Sequence, residues 1–210
     1  MAYVLGFIYA DGAIEDCSES SRAYYILLSN NDYELLTDIM NVMSSDNRIE
    51  TRKAHLSKIR GKEYWSKTSY RVRIGNKVIY DDLIDLGLCP RKSLVIELLA
   101  IPNQYFNCFL RGYFDGDGCI YVEKTKNKRV DIIFTSGSRI FLEQLSLKIL
   151  DFFPTINSCI THSHRNGAFQ LRYNWKNALM VADLMYKDIS KVPYLKYKYN
   201  KYLEYLKNRK

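Results

Sequence analysis

The chain has 210 residues, 47% of them hydrophobic, enough to form a real core as one domain or two small halves. Its 31 basic and 23 acidic residues give a net charge of +8, a moderate polyanion-binding footprint rather than a histone-like one. No apolar run spans a membrane, the apolar start at Ala2 lacks a basic leader, and the five cysteines show no CxxC spacing. These features predict an intracellular protein with reduced thiols and no signal peptide. Cys159, His162 and His164 lie close together, but with no second ligand cluster they do not argue for zinc.

In chain order, the first predicted element is the helix around Val4–Gly12, reading VLGFIYADG. It returns about half a chain later as Leu110–Gly118, reading LRGYFDGDG. Gly6 and Ala10 are four apart, as are Gly112 and Gly116, so each pair lies on one helix face. Small residues at that spacing let two helix backbones approach closely, with Gly6, Ala10, Gly112 and Gly116 as the interface. Gly12 and Gly118 are expected to act as left-handed helix stops. Packed side by side, the helices bring Asp11 and Asp117 together at one end. There each carboxylate faces the negative end of a helix dipole and repels the other, a cost that divalent cations would relieve.

After the first motif, Ala13–Cys17 and Arg22–Ser29 read as a strand pair around a turn at 19–21. Asn30-Asn31-Asp32 offers an N-cap to a helix carrying Leu35, Leu36, Ile39, Met40 and Met43. Arg48–Leu56 and Thr68–Ile74 read as a second pair joined by a basic loop, Ser57–Lys67. A helix from about Val78 to Leu86 follows, then Gly87 and the turn Cys89-Pro90. The segment 91–107 connects to the second half, with Pro102 ahead of the second motif. There Ile120–Lys124 and Arg129–Thr135 pair, Ser138 opens a helix through Leu150, and Ile156–His162 pairs with Ala168–Tyr173. Helices near Trp175–Tyr186 and Tyr194–Lys207 finish the chain. In the last helix, Tyr197, Leu203 and Leu206 among the lysines predict an amphipathic helix rather than a nucleic-acid tail. The order αββαββα occurs twice, which implies pseudo-two-fold symmetry and an α+β fold.

The doubled nine-residue motif resembles that of the LAGLIDADG homing endonucleases, of the monomeric kind with two motifs in one chain. One departure is Tyr9, where the second copy has Asp115; the family's essential acid is the later position, Asp11 and Asp117. The resemblance covers nearly the whole chain. It implies two αββαββα halves, 1–90 and 108–210, joined by 91–107, with the motif helices at their interface. Each half is expected to lay a four-stranded antiparallel sheet in the DNA major groove. The motif begins close to Met1, so no N-terminal accessory domain is expected. Intein membership is not expected either, for the chain has no splicing blocks and no terminal His-Asn pair.

A reading sheet should alternate core-facing apolar residues with groove-facing polar ones. Val72 and Ile74 alternate with Arg71 and Arg73, and Phe169, Leu171 and Tyr173 alternate with Gln170, Arg172 and Asn174. Arginine and glutamine pair bidentately with guanine and adenine edges. Glu15, Tyr121 and Glu123 are expected on the same faces, as are Arg52 and Lys53. Lys58, Arg60, Lys62, Lys67, Lys126, Lys128 and Arg165 fall in hairpin loops suited to phosphate contacts. A strand of about eight residues spans roughly 26 Å. Two such sheets and the gap between them match roughly 16–20 base pairs, asymmetric because the halves differ.

The expected reaction is Mg²⁺-dependent hydrolysis of one phosphodiester in each strand, with Asp11 and Asp117 as metal ligands. The resemblance adds the backbone carbonyls of Ala10 and Gly116 as ligands, and a lysine near each site. Lys92, in Pro90-Arg91-Lys92-Ser93, and Lys196, in Pro193-Tyr194-Leu195-Lys196, hold the matching positions. Ser29 and Ser136 either line the solvent pocket or cap helices. Mn²⁺ is expected to substitute for Mg²⁺, and Ca²⁺ to support binding without cleavage. No protein partner is required. The alternatives are an intron RNA maturase and a DNA-binding regulator that no longer cleaves.

Overall fold

The computed structural model describes residues 1–15, 24–59, 61–123, 129–163 and 167–209. The expected Lys126, Lys128, Arg60 and Arg165 contacts, and His164, lie outside the described residues.

The first motif forms α1 (Ala2–Asp11), which runs directly into β1 (Gly12–Ile14). β2 (Tyr25–Asn30), α2 (Tyr33–Val42), β3 (Glu50–Arg52), β6 (Ser69–Gly75) and α3 (Lys77–Asp85) complete the first repeat. Between β3 and β6 stands a separate hairpin of β4 (Leu56–Ile59) and β5 (Lys62–Trp65). The second repeat comprises α4 (Asn103–Asp117), β7 (Gly118–Val122), β8 (Val130–Ser136), α5 (Arg139–Leu150), β9 (Cys159–His162), β10 (Phe169–Asn174) and α6 (Lys176–Tyr186). α7 (Lys196–Lys207) follows. The two four-stranded sheets have the same antiparallel order, β1-β2-β6-β3 and β7-β8-β10-β9. Their registers correspond as well: Gly12 opposes Leu28 as Gly118 opposes Phe134. The α+β architecture with two αββαββα repeats is therefore present.

Helix starts follow local chemistry. Asp32, Asn76 and Ser138 accept hydrogen bonds from the N–H of Leu35, Ile79 and Phe141 at 3.0, 3.1 and 3.2 Å. Each fills a donor that the first helical turn leaves open. The core runs along both faces of the α1–α4 pair, through buried Tyr3, Phe7, Phe106, Phe109, Tyr113 and Phe114. The described cysteines, Cys89, Cys108, Cys119 and Cys159, are unpaired. No described helix is long and apolar enough to cross a membrane.

Four expectations need correction. Gly12 and Gly118 are extended, at φ −82° and −93°, not left-handed. Each is glycine for want of space: a Cβ would lie 2.6 Å from Ile8 O in the first copy and 2.2 Å from Phe114 Cδ2 in the second. The basic stretch 57–67 is not a plain loop, because Leu56 pairs with Trp65 and Lys58 with Glu63 across the β4–β5 hairpin. Backbone and side chains of His55 and Ser66 close its base, with Ser66 N donating to His55 O at 2.9 Å. Neither Ser29 nor Ser136 caps a helix: Asp32 and Ser138 do, and Ser136 Oγ accepts from Ser138 N. Finally, the buried stripe of α7 is Lys198, Tyr202 and Tyr205, while Tyr197 and Leu206 are exposed.

Candidate active site

α1 and α4 touch backbone to backbone. A Cβ on Gly6 would lie 2.0 Å from Phe109 O, and one on Gly112 would lie 2.0 Å from Tyr3 O. Hydrogen in place of a side chain is what allows this approach. One turn on, a Cβ on Gly116 would lie 2.4 Å from the Ala10 methyl and 3.4 Å from Asp11 Cγ. The small residues thus place the two aspartates, each the last residue of its helix, at one shared end.

Asp11 is half-buried and accepts from Asn30 Nδ2 at 3.3 Å, whereas Asp117 stands exposed at the rim. Burial, and next the charge of Asp117, push the Asp11 carboxyl from its ordinary 3.8 up to about 6. Desolvation also raises Asp117, against the pull of Lys92 and Lys198. A cavity of about 330 Å³ opens beside Asp11, lined by Ser29, Asn30, Asp115 and Leu195 among others. Ser29 lines the pocket, as one of its two expected roles required. A groove of about 510 Å³ belongs to other residues, Tyr121, Glu123, Asp131 and Trp175 among them, at the face of the second sheet.

Two buried lysines reach the carboxylate end, one for each helix. Lys92 Nζ donates to Gly12 O at 2.6 Å and Ala10 O at 3.3 Å. Lys198 Nζ donates to Phe114 O and Gly118 O at 2.6 Å and to Asp115 O at 3.0 Å. Each ammonium sits at the negative end of a helix dipole and meets carbonyls left open by the last turn. Burial lowers both lysine pKa values, opposed by the charges of Asp11 and Asp117 and, for Lys198, most of all by Asp115. Lys196 is placed elsewhere: it is exposed and pairs with Glu34 of α2. The structure thus brings Lys198 rather than the expected Lys196 to the carboxylate end, because the two lie on opposite sides of the helix. The signal was available in the 198, 202, 205 spacing, which puts Lys198 on the face of two buried tyrosines.

The outer sheet faces carry most of the expected polar residues. Val72 and Ile74 are buried under Arg71 and Arg73; Leu171 and Tyr173 are buried under Gln170, Arg172 and Asn174. Arg73 donates to both Glu15 oxygens, from Nε at 2.9 Å and from Nη2 at 2.5 Å, and lies 3.7 Å over the Tyr25 ring. Arg52 opposes Ser69 and Glu50 opposes Arg71, so both share the outer face with Arg71, while Lys53 follows the strand's end. On the second sheet Tyr121 is exposed opposite Asp131, which pairs with Arg172 at 3.5 Å. Glu50 and Asp131 were not singled out from the sequence.

Chemically, the carboxylate end offers hard oxygen donors whose mutual repulsion and desolvation favour a divalent cation. Among the described residues no third Asp, Glu, His or Cys joins them in a metal cage. This suits Mg²⁺, which commonly takes one or two carboxylates and completes its shell with water and substrate phosphate.

Comparison with known proteins finds similar domains and folds. The LAGLIDADG-like domain family matches residues 107–184. That match takes in the second motif and most of the second half of the chain. The chain's two-motif fold is that of solved homing endonucleases. I-WcaI bound to its DNA recognition sequence aligns with a TM-score of 0.60 at 15% identity, covering 94% of this chain and 84% of that one. I-SmaMI bound to uncleaved target with calcium aligns at 0.57 and 11% identity, covering 98% and 89%. A variant of I-DmoI with its target DNA and manganese aligns at 0.56 and 15% identity, covering 91% and 96%. At these identities the likeness establishes the fold alone.

Among curated relatives, reverse gyrase of Methanocaldococcus jannaschii is 34% identical over 80 residues, 37% of this chain. The probable translation initiation factor IF-2 of Thermococcus kodakarensis is 46% identical over 55 residues, 26% of this chain. The matched stretches span about 5% and 4% of those proteins.

Proposed function

We propose that this protein is a site-specific DNA endonuclease of the LAGLIDADG kind that cuts both strands of a long asymmetric target. The observation that carries the reading is the pairing of Asp11 with Asp117 at the joined helix ends, flanked by buried Lys92 and Lys198. A regulator that only bound DNA would have no use for repelling carboxylates held beneath phosphate.

In this reading the two sheets lie along the duplex, and Arg71, Arg73, Gln170, Arg172, Arg52, Tyr121 and Glu123 face base edges. Glu15 keeps Arg73 extended until guanine competes for the same fork. The duplex spans roughly 16–20 base pairs at about 3.4 Å each. Residues 1–90 and 108–210 serve one half-site each, and 91–107 join them. The β4–β5 hairpin, basic and bearing exposed Leu56, Tyr64 and Trp65, adds a contact with no counterpart among the described residues of the second half.

Asp11 and Asp117, with the carbonyls of Ala10 and Gly116, would hold Mg²⁺ or Mn²⁺. The bound ion supplies a water of lowered pKa and stabilises the leaving oxygen. Lys92 and Lys198 keep the last-turn carbonyls in place and set buried positive charge behind the carboxylates, close to where phosphate charge develops. The protein acts inside the cell, where its target lies.

The deciding experiment is selection from a randomised duplex pool, binding in Ca²⁺ and then switching to Mg²⁺. One long asymmetric site, cut on both strands and spared by Asp117→Asn, is the expected result. Tight selection without cleavage refutes the endonuclease and leaves the regulator. Enrichment of no DNA refutes DNA targeting and directs the assay to structured intron RNA.

A further inference from the structure

The second motif helix carries a carboxylate that the metal pair does not use. Asp115 is buried in the position that Tyr9 fills in α1. Its Oδ2 accepts from the Tyr3 hydroxyl of α1 at 2.7 Å and from the backbone N–H of Leu195 at 2.8 Å. Leu195 is the residue that opens α7, and no side chain on α7 caps that end. Asp115 therefore stands in as the anion at an N-terminus, supplied from another helix. One turn later Lys198 reaches back to the carbonyls of Phe114, Asp115 and Gly118. The carboxylate and the ammonium clasp the start of α7 to the end of α4 from two sides.

The first half is built differently. Tyr9 offers no carboxylate there; its hydroxyl donates to Leu86 O at 3.1 Å, at the end of α3 and six residues before Lys92. Lys92 instead rides a short 3₁₀ turn, Lys92–Leu94, entered through Arg91 at φ 58°. The two lysines reach equivalent seats by unequal means, one on a turn of its own and one on a helix anchored by Asp115.

We propose that Asp115 is a positioning residue: it fixes the start of α7, and through it Lys198, so that cleavage of one DNA strand depends on Asp115 and cleavage of the other does not. This rests on the endonuclease reading above. A wholly structural role would slow both strands alike, since both share the α1–α4 pair.

The test measures each strand separately on an end-labelled duplex carrying the selected site, with Mg²⁺, for wild type, Asp115→Ala and Asp115→Asn. Asp115→Ala should slow one strand by about 10- to 100-fold relative to the other, so that singly nicked duplex accumulates. Asp115→Asn keeps an acceptor for the Leu195 N–H and should bring the ratio of the two rates back towards wild type. In the metal-free protein, hydrogen exchange should quicken across the first turns of α7 in Asp115→Ala and stay unchanged around Lys92. If Asp115→Ala does not fold, Leu195→Pro removes the same N–H at a φ of −79°, which proline adopts, and should give the same bias. Equal slowing of both strands, or unchanged exchange in α7, overturns the proposal. If wild type cuts neither strand, the endonuclease reading fails first, and the exchange data alone decide whether Asp115 holds α7.

Discussion

Replacing Asp11 by asparagine should stabilise the metal-free protein above neutral pH while abolishing cleavage. Burial and the facing charge of Asp117 raise this carboxyl from 3.8 to about 6. At about 1.4 kcal/mol for each pH unit, the ionised group costs the fold about 3 kcal/mol. The sign follows from linkage: an acid bound more tightly by protons in the folded state destabilises that state once it ionises. The penalty is full above about pH 6 and vanishes below about pH 4. That penalty is already net of the attraction to Lys198 and Lys92; asparagine removes it but leaves a half-buried amide to be satisfied, which offsets part of the gain. A net gain of about 1–2 kcal/mol is expected at pH 8, a Tm higher by about 2–8 °C for a chain of this size. Thermal unfolding in a chelator at pH 4, 6 and 8 reads it directly. The variant should gain at pH 8 and match wild type at pH 4. Added Mg²⁺ should narrow the gap by stabilising wild type alone. An Asp11→Asn protein no more stable than wild type at pH 8 in chelator would refute the account of a repelling, desolvated pair.

Three further outcomes are expected. Gly112→Ala should cost about 3 kcal/mol or more, seen as a lowered Tm or insoluble protein, because its Cβ would meet Tyr3 O at 2.0 Å across a backbone contact that cannot give way. Lys198→Met should lower the cleavage rate by about 100-fold while DNA binding in Ca²⁺ persists, whereas Lys196→Met should cleave like wild type; the reverse order would restore the sequence-based choice. Trp65→Ala should weaken target binding and leave stability within about 0.5 kcal/mol of wild type, since Trp65 is 74% exposed; equal affinities by titration in Ca²⁺ would remove the hairpin from the interface.

The sequence by itself determined the features whose physics is local or repeated. Gly6 and Ala10, then Gly112 and Gly116, announce a helix pair because only small residues at that spacing permit backbone contact. Two copies half a chain apart announce two like halves, and period-two alternation at Arg71 to Ile74 and at Gln170 to Tyr173 assigned the sheet faces. What it could not fix was anything set by how one element rotates against another. Lys196 and Lys198 are both lysines near the start of one helix, and only the packing of α7 on α4 turns Lys198 inward and leaves Lys196 to Glu34. The β4–β5 hairpin reads as a basic loop, since Leu56, Tyr64 and Trp65 stay exposed and mark no core face. Asp115 looks like a spare motif acid until the fold brings Tyr3 and Leu195, 112 and 80 residues away, to one of its two buried oxygens. Spacing along the chain records which residues share a helix face; which partner that face meets is decided by the long-range packing that buries it.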